Sequence, residues 1–155
     1  FKGISESLRR PVSPGTLSLL MDPEHPLFKN FPTDAQTNWQ WWSIIKASRP
    51  LILDLAPVGL EPVVQVVDNM ERNHKLGLIF EIGIGKGKLL VCMAEPEALR
   101  KTPEGRQLYS SLVNYVQSRD FNPKTICSPE EFKILFSGNT LSPDIKSVNN
   151  VTDYK

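Results

Sequence analysis

LGLIFEIGIGKGKLLVCM, residues 76–93, is the stretch that decides the fold. Leu76, Leu78, Phe80, Ile82 and Ile84 recur at every second position, with Gly77, Ile79, Glu81 and Gly83 between them. A period of two is the signature of a strand with one strongly buried face. Gly85-Lys86-Gly87 supplies a tight turn, and Lys88–Met93 returns as a second strand. The segment 76–93 is therefore expected to be an antiparallel hairpin. It lies in the run Glu61–Glu95, the chain's densest in aliphatic and β-branched residues, whose earlier part, Val63–Val67, predicts another strand.

The glycines of the turn also raise a phosphate-cradling loop. Such a loop has to run straight into a helix N-terminus, so that backbone amides point at the anion. Here Lys88-Leu89-Leu90-Val91 follows, a strand sequence, and the turn is preferred.

Outward from the hairpin, the elements are short and punctuated. Thirteen prolines against nine glycines favour many extended connections over long helices. Residues 1–15 are polar, proline-rich and irregular; Thr16–Met21 has strand length and ends at the turn signal Asp22-Pro23. His25-Pro26-Leu27-Phe28 and Phe31-Pro32 suit an extended loop pinned to the core. Thr37 and Gln40 have capping-box spacing for a helix that places Trp41, Ile44, Ile45 and Ser48 on one face and stops at Arg49-Pro50. Leu51–Leu55 reads as a strand and Asp68–Lys75 as a polar connector. Thr102-Pro103 opens a second helix, with Leu108, Leu112, Tyr115 and Val116 inward and Asn122-Pro123 closing it. Ser128-Pro129-Glu130-Glu131 opens a third by a capping box, docked through Phe132, Leu135 and Phe136. The expected fold is α/β: a mixed sheet with helices packed on it, one domain over residues 1–136 and a flexible tail over 137–155.

Composition narrows the function without naming it. A length of 155 residues, 40% hydrophobic and 23% charged, is that of an ordinary globular domain. A net charge of +1 gives no electrostatic reason for a nucleic-acid partner, and no apolar run approaches the roughly 20 residues of a membrane helix. Cys92 and Cys127 have no metal-ligand spacing; both free thiols and a disulfide stay open. No metal or cofactor is expected. The chain begins at Phe1, as a processed or excerpted polypeptide would.

Two groups of residues stand out as site candidates. Asn69, Arg72, Asn73 and His74, with Glu71, form the most concentrated polar cluster, suited either to a structural connector or to hydrogen-bonding a carbohydrate. Trp39, Trp41 and Trp42 lie within four residues; Trp41 shares the face of Ile44 and Ile45 and belongs to the core. Trp39 or Trp42 is then left for inter-domain packing, an interface anchor or sugar stacking. For catalysis, Cys92 would need a histidine and an orienting acid, and only His25 and His74 exist. Among Asp54, Asp68 and Glu81 no spacing selects a carboxylate pair. No catalytic residue is assigned, and a small hydrolase built on Cys92 or Asp68 is the weakest alternative.

HPLFKNFPTDAQTNWQWW (25–42), RPLILDL (49–55), VVQVVDNMERNHKLGLIFE (63–81) and GKGKLLVC (85–92) together resemble the C-terminal region of large Bacteroidetes glycoside hydrolase family 2 proteins, the β-galactosidase-like group. The resemblance runs from about Asp22 to Pro123. It implies the closing part of a flavodoxin-like or glutamine amidotransferase-like α/β domain, in which a pattern like Arg106-Gln107-Leu108-Tyr109 follows the GKG strand. If the chain begins inside that domain, its first strands are missing and the fold is seen incomplete. The implied role is that of an accessory domain, in contact with other domains of the same polypeptide or with carbohydrate, in a periplasmic or secreted enzyme. The catalytic glutamates of such hydrolases lie on a barrel that this chain does not match, and the amidotransferase cysteine elbow is missing. An independent carbohydrate-binding module using Trp39 or Trp42 with the 69–74 loop is the alternative.

Overall fold

A computed structural model describes residues 18–69 and 73–140. The expectations for residues 1–15, for Glu71 and Arg72, and for the flexible tail beyond Thr140 lie outside the described residues. Among the described residues the fold is α/β, with six strands in one mixed sheet and four α-helices. The strands are β1 (Ser18–Met21), β2 (Leu51–Ile52), β3 (Val64–Val67), β4 (Lys75–Ile84), β5 (Gly87–Cys92) and β6 (Ile126–Cys127). The helices are α1 (Trp42–Lys46), α2 (Pro96–Lys101), α3 (Pro103–Gln117) and α4 (Pro129–Thr140).

Strand β4 is the hub. Gly77 pairs with Leu51 of β2 and with Gln65 of β3, Ile79 with Val64 of β3 and Cys92 of β5, and Gly83 with Lys88 of β5 and Ile126 of β6. A residue pairs with one strand on each side, so β3 and β6 share one edge of β4, and β2 and β5 share the other. Strand β1 extends the sheet beyond β3. The β4–β6 pair is parallel and the other four pairings are antiparallel.

The hairpin forms as the alternation predicts, over Lys75–Cys92. Its two-residue turn has Gly85 at φ 57°, while Lys86 is not among the positive-φ residues. Glycine first and an ordinary residue second is the type II′ pattern, whose twist matches the flanking strands.

The single buried face does not form. Val64 pairs with Ile79 but Gln65 pairs with Gly77, which leaves Leu78 as an extra residue in β4. Such a bulge inverts the facing of everything beyond it. Leu76, Leu78 and Ile79 join one core, with Trp41, Ile44, Val64, Leu108 and Leu112. Phe80 and Ile82 join the other, with Leu51, Leu53, Leu60 and Leu135. A strand covered on both faces is hydrophobic nearly throughout, and seven of the ten residues of β4 are buried.

Several local expectations are corrected. Pro26–Asn30 is a 3-10 helix rather than an extended loop, because the His25 Nδ1 accepts the Leu27 amide at 3.3 Å and caps the turn. The Thr37–Gln40 capping box does not form. Thr37 Oγ1 instead accepts the Leu19 amide at 2.7 Å, and Gln40 Nε2 donates to the Pro32 carbonyl, so the helix enters through a 3-10 turn at Trp39–Trp41. A tertiary donor, the Leu19 amide on an edge strand, has outcompeted a local cap for this hydroxyl. The strand expected over Leu51–Leu55 keeps only Leu51–Ile52. Val116 is exposed, α3 ends at Gln117 and not at Asn122-Pro123, and α4 continues to Thr140, past the expected boundary at 136. Helix α2 and strand β6 have no counterpart in the sequence expectations.

The remaining caps stand as expected. Thr102 Oγ1 accepts from Gly105 N at 3.1 Å. Ser128 and Glu131 exchange bonds, Glu131 N to Ser128 Oγ at 3.2 Å and Ser128 N to Glu131 Oε2 at 2.8 Å. Trp41, Ile44, Ile45 and Ser48 are all buried, and Cys92 and Cys127 are both free thiols.

Gly77 is the tightest point of this packing: a Cβ there would lie 2.7 Å from Leu53 Cδ1 and 3.1 Å from Phe80 Cδ1. Both neighbours are buried core residues. Gly77→Ala is expected to destabilise the fold by about 1–3 kcal/mol, the usual cost of overpacking. Urea unfolding should show a lower midpoint at unchanged slope; an unchanged midpoint would mean that the Leu53 side chain yields freely.

Candidate functional site

Sequence reasoning put the recognition candidates in two places, and the structure keeps them apart. Trp39 and Trp42 occupy the 3-10 turn and the first position of α1. Trp39 is 89% exposed and Trp42 41% exposed. With Thr37 and Asn38 they line an open depression of about 420 Å³; among the described residues none of 69–74 lines it. Lys46 Nζ lies 5.5 Å from the centroid of the Trp42 ring. Trp41 points inward, its indole N–H donating to Thr33 Oγ1 at 2.7 Å and its ring edge-on to Phe28 and Phe31. The helical spacing thus divides the three tryptophans between core and surface.

The 69–74 connector is bound to the scaffold by carboxylates. Asp68 Oδ1 accepts the Asn69 amide at 2.8 Å, and its Oδ2 accepts the His74 amide at 3.1 Å. Asn73 closes the loop through its amide to the Asn69 carbonyl, with φ at 51°, a left-handed value that asparagine tolerates better than most residues. Asp54 takes the Lys75 amide at 2.8 Å and His74 Nδ1 at 2.6 Å. Asn69 is 1% exposed, so its side chain is placed for internal bonding, not for a surface ligand.

Asp54 and His74 have the look of two members of a nucleophile-activating triad. Among the described residues His74 Nε2 is buried and meets no third member of a triad and no other hydrogen-bond partner. Cys92 lies in β5, where burial pushes its thiol up and disfavours the thiolate.

A third location was not singled out from sequence. Along the edge of β4 that β3 and β6 share, β3 pairs as far as Ile79 and β6 begins at Gly83. Glu81 sits in the gap. A cavity of about 280 Å³ opens there, lined by Asp22, His25, Glu61, Glu81 and Lys124, with Leu60, Pro62 and Val63 as its apolar wall. Thr125 Oγ1 donates to the Gly59 carbonyl at 2.9 Å and ties the approach of β6 to that of β3 across the gap.

Polar groups in this cavity are held in place. Tyr115 donates to Glu81 Oε2 at 2.7 Å, and its ring packs edge-on to His25 and Phe121. Burial, together with the Glu81 carboxylate that accepts this bond, pushes the tyrosine hydroxyl well above its usual value, so it stays a donor. Burial lowers the His25 imidazole from 6.5, with Lys124 acting the same way and Glu81 and Asp22 pulling against them. The neutral ring accepts at Nδ1 and so carries its proton at Nε2. A signal for this site existed in the sequence: a lone glutamate in the most apolar strand of the chain has to be paired or used.

Lowering of the His25 value sets the sign of a pH effect. As pH falls below 6.5 the unfolded chain takes up this proton first, so stability falls across the window between 6.5 and the lower folded value. His25→Gln should remove that slope in urea titrations at pH 5–7. Glu81→Gln should lower the His25 value further in an NMR titration. A His25 value at or above 6.5 would contradict the burial argument.

Among the described residues no helix is long and apolar enough to cross a membrane. Residues 5–137 match the family described as a domain of unknown function, DUF8487. No curated protein matches the chain.

Proposed function

The chain belongs to the DUF8487 family, and from that premise we propose that it is a non-catalytic accessory domain that contacts carbohydrate through the Trp39 face. The observation that carries this reading is the 89% exposure of Trp39. Leaving an indole in water forgoes about 1.5–3 kcal/mol of burial, which makes an uncovered tryptophan costly unless it meets a partner. An indole face presents the apolar surface on which the C–H face of a sugar ring stacks, and the neighbouring depression holds a second partly exposed indole beside the Asn38 amide. Asn38 Nδ2 donates to Asp34 Oδ2 at 3.0 Å and its Oδ1 is buried, so the sugar contact falls to the two indoles.

The likeness of residues 22–123 to the C-terminal region of β-galactosidase-like glycoside hydrolases supports the same role, and with it a periplasmic or secreted setting. It also supplies the second reading, inter-domain packing, which the continuity of Trp39 with Trp42 favours, since two indoles cover more than one sugar ring. The same likeness is the support for a flavodoxin-like or amidotransferase-like relation of the sheet; such sheets are mostly parallel, whereas four of the five described pairings here are antiparallel.

Glycan-array binding of the full chain against Trp39→Ala tests the proposal. Binding that is lost in the variant while its melting temperature is unchanged is the expected result, since removing a solvent-exposed ring leaves the core intact. Absence of binding in the unmodified chain would overturn carbohydrate contact and leave inter-domain packing.

A further inference from the structure

The gap at Glu81 has the properties of a small-ligand site distinct from the tryptophan face. A sheet edge between two diverging strands is a place where backbone and side-chain groups are free to turn toward a ligand, by the same geometry that puts ligand sites at strand switch points. On this edge Gly83 N already donates to the Thr125 carbonyl at 2.8 Å. Ladder alternation places the amide and carbonyl of Glu81, two residues earlier, on that edge as well.

The side chains offer complementary groups. Glu81 uses Oε2 for Tyr115, and its Oε1 has no hydrogen-bond partner among the described residues. His25 uses Nδ1 for the Leu27 amide, and its Nε2–H has none either. Three carboxylates, of Asp22, Glu61 and Glu81, face one lysine, Lys124. Glu61 is partly occupied by Lys75 at 3.1 Å, so the carboxylate in the gap itself is the one held ready. The field of the cavity is negative with His25 neutral, and its wall of Leu60, Pro62 and Val63 is apolar.

We propose that this cavity binds a small organic cation, with an ammonium or guanidinium group on Glu81 Oε1 and the ligand's aliphatic body on Leu60, Pro62 and Val63. His25 Nε2–H would donate to an acceptor on the same ligand. A carboxylate already fixed by Tyr115 needs no reordering to receive the cation, which lowers the entropic cost of binding. The space, about 280 Å³, admits a ligand of amino-acid size. This inference is independent of carbohydrate contact at Trp39.

The test uses the full chain, with arginine amide, putrescine and methylguanidinium as probes and glycerol and acetate as neutral and anionic comparators. Saturable amide shifts at Gly59, Glu81 and Thr125 are expected with at least one cation and with neither comparator. Glu81→Gln retains an acceptor for Tyr115 and therefore the fold. It should weaken binding by about tenfold or more, the worth of a charged hydrogen bond. Trp39→Ala should leave the shifts unchanged. No saturable shift with any of the cations, equal affinity in a folded Glu81→Gln variant, or equal binding of glycerol or acetate would each overturn the proposal.

Discussion

Everything in this domain depends on β4 being paired along both edges and covered on both faces. Its ten residues meet four other strands, two on each edge. A strand in that position has no solvent side to absorb a mismatch, and the mismatch is taken up internally by the bulge at Leu78. One extra residue is enough to send Leu76, Leu78 and Ile79 to the core under α1 and α3, and Phe80 and Ile82 to the core under α4. Gly77 follows from the same constraint. Beside the bulge, the face it would occupy is already filled by Leu53 and Phe80, and only a residue without a side chain fits there unstrained.

The inversion also decides where Glu81 points. Unbulged alternation sets it opposite Phe80 and Ile82 in any case, but the bulge places it on the side of Leu76 and Leu78, beneath Tyr115 of α3 and beside His25. There one carboxylate oxygen is satisfied by a phenol, and the residue lines the gap between β3 and β6. A carboxyl group in the interior strand is thereby held by a phenol, with no ion pair among the described residues. The 3-10 helix Pro26–Asn30 is held against α3 by Ser111 Oγ donating to the Leu27 carbonyl, and by Gln107 Nε2 donating to the Asn30 carbonyl at 2.5 Å. That contact fixes His25, the residue capping this turn, against the ring of Tyr115. Cavity and scaffold are consequently one construction, and a change in α3 is felt in the cavity.

What the sequence revealed divides by the range of the interaction that decides each element. The hairpin, the Thr102 cap and the Ser128–Glu131 box are settled within four residues or by a two-residue turn, and all three stand as expected. Thr37 shows the limit: its spacing to Gln40 is that of a cap, yet the Leu19 amide, 18 positions away, takes its hydroxyl. The bulge leaves no local mark, because alternating Leu76, Leu78, Phe80 and Ile82 are equally apolar whichever face each one takes. Strand β6 is two residues long and exists because Gly83 lets Ile126 approach, a Cβ there lying 3.1 Å from Ile126 Cγ1. Of the candidate sites, helical geometry alone distinguished Trp41 from Trp39 and Trp42. The strand gap that makes a cavity of Glu81 is a property of pairing and could not be seen in the chain.

The two histidines show why composition is a weak guide to chemistry. Each is within reach of a carboxylate-bearing strand or loop and each spends its Nδ1 on the scaffold, His74 on Asp54 and His25 on the Leu27 amide. Their second nitrogens meet opposite conditions. Among the described residues His74 Nε2 is buried and meets no hydrogen-bond partner, and the Asp54–His74 pair fixes a loop. His25 lines an open cavity together with Glu81, and its Nε2 has no hydrogen-bond partner among the described residues. Access, rather than residue type or pair geometry, is what separates the structural histidine from the one placed to meet a ligand.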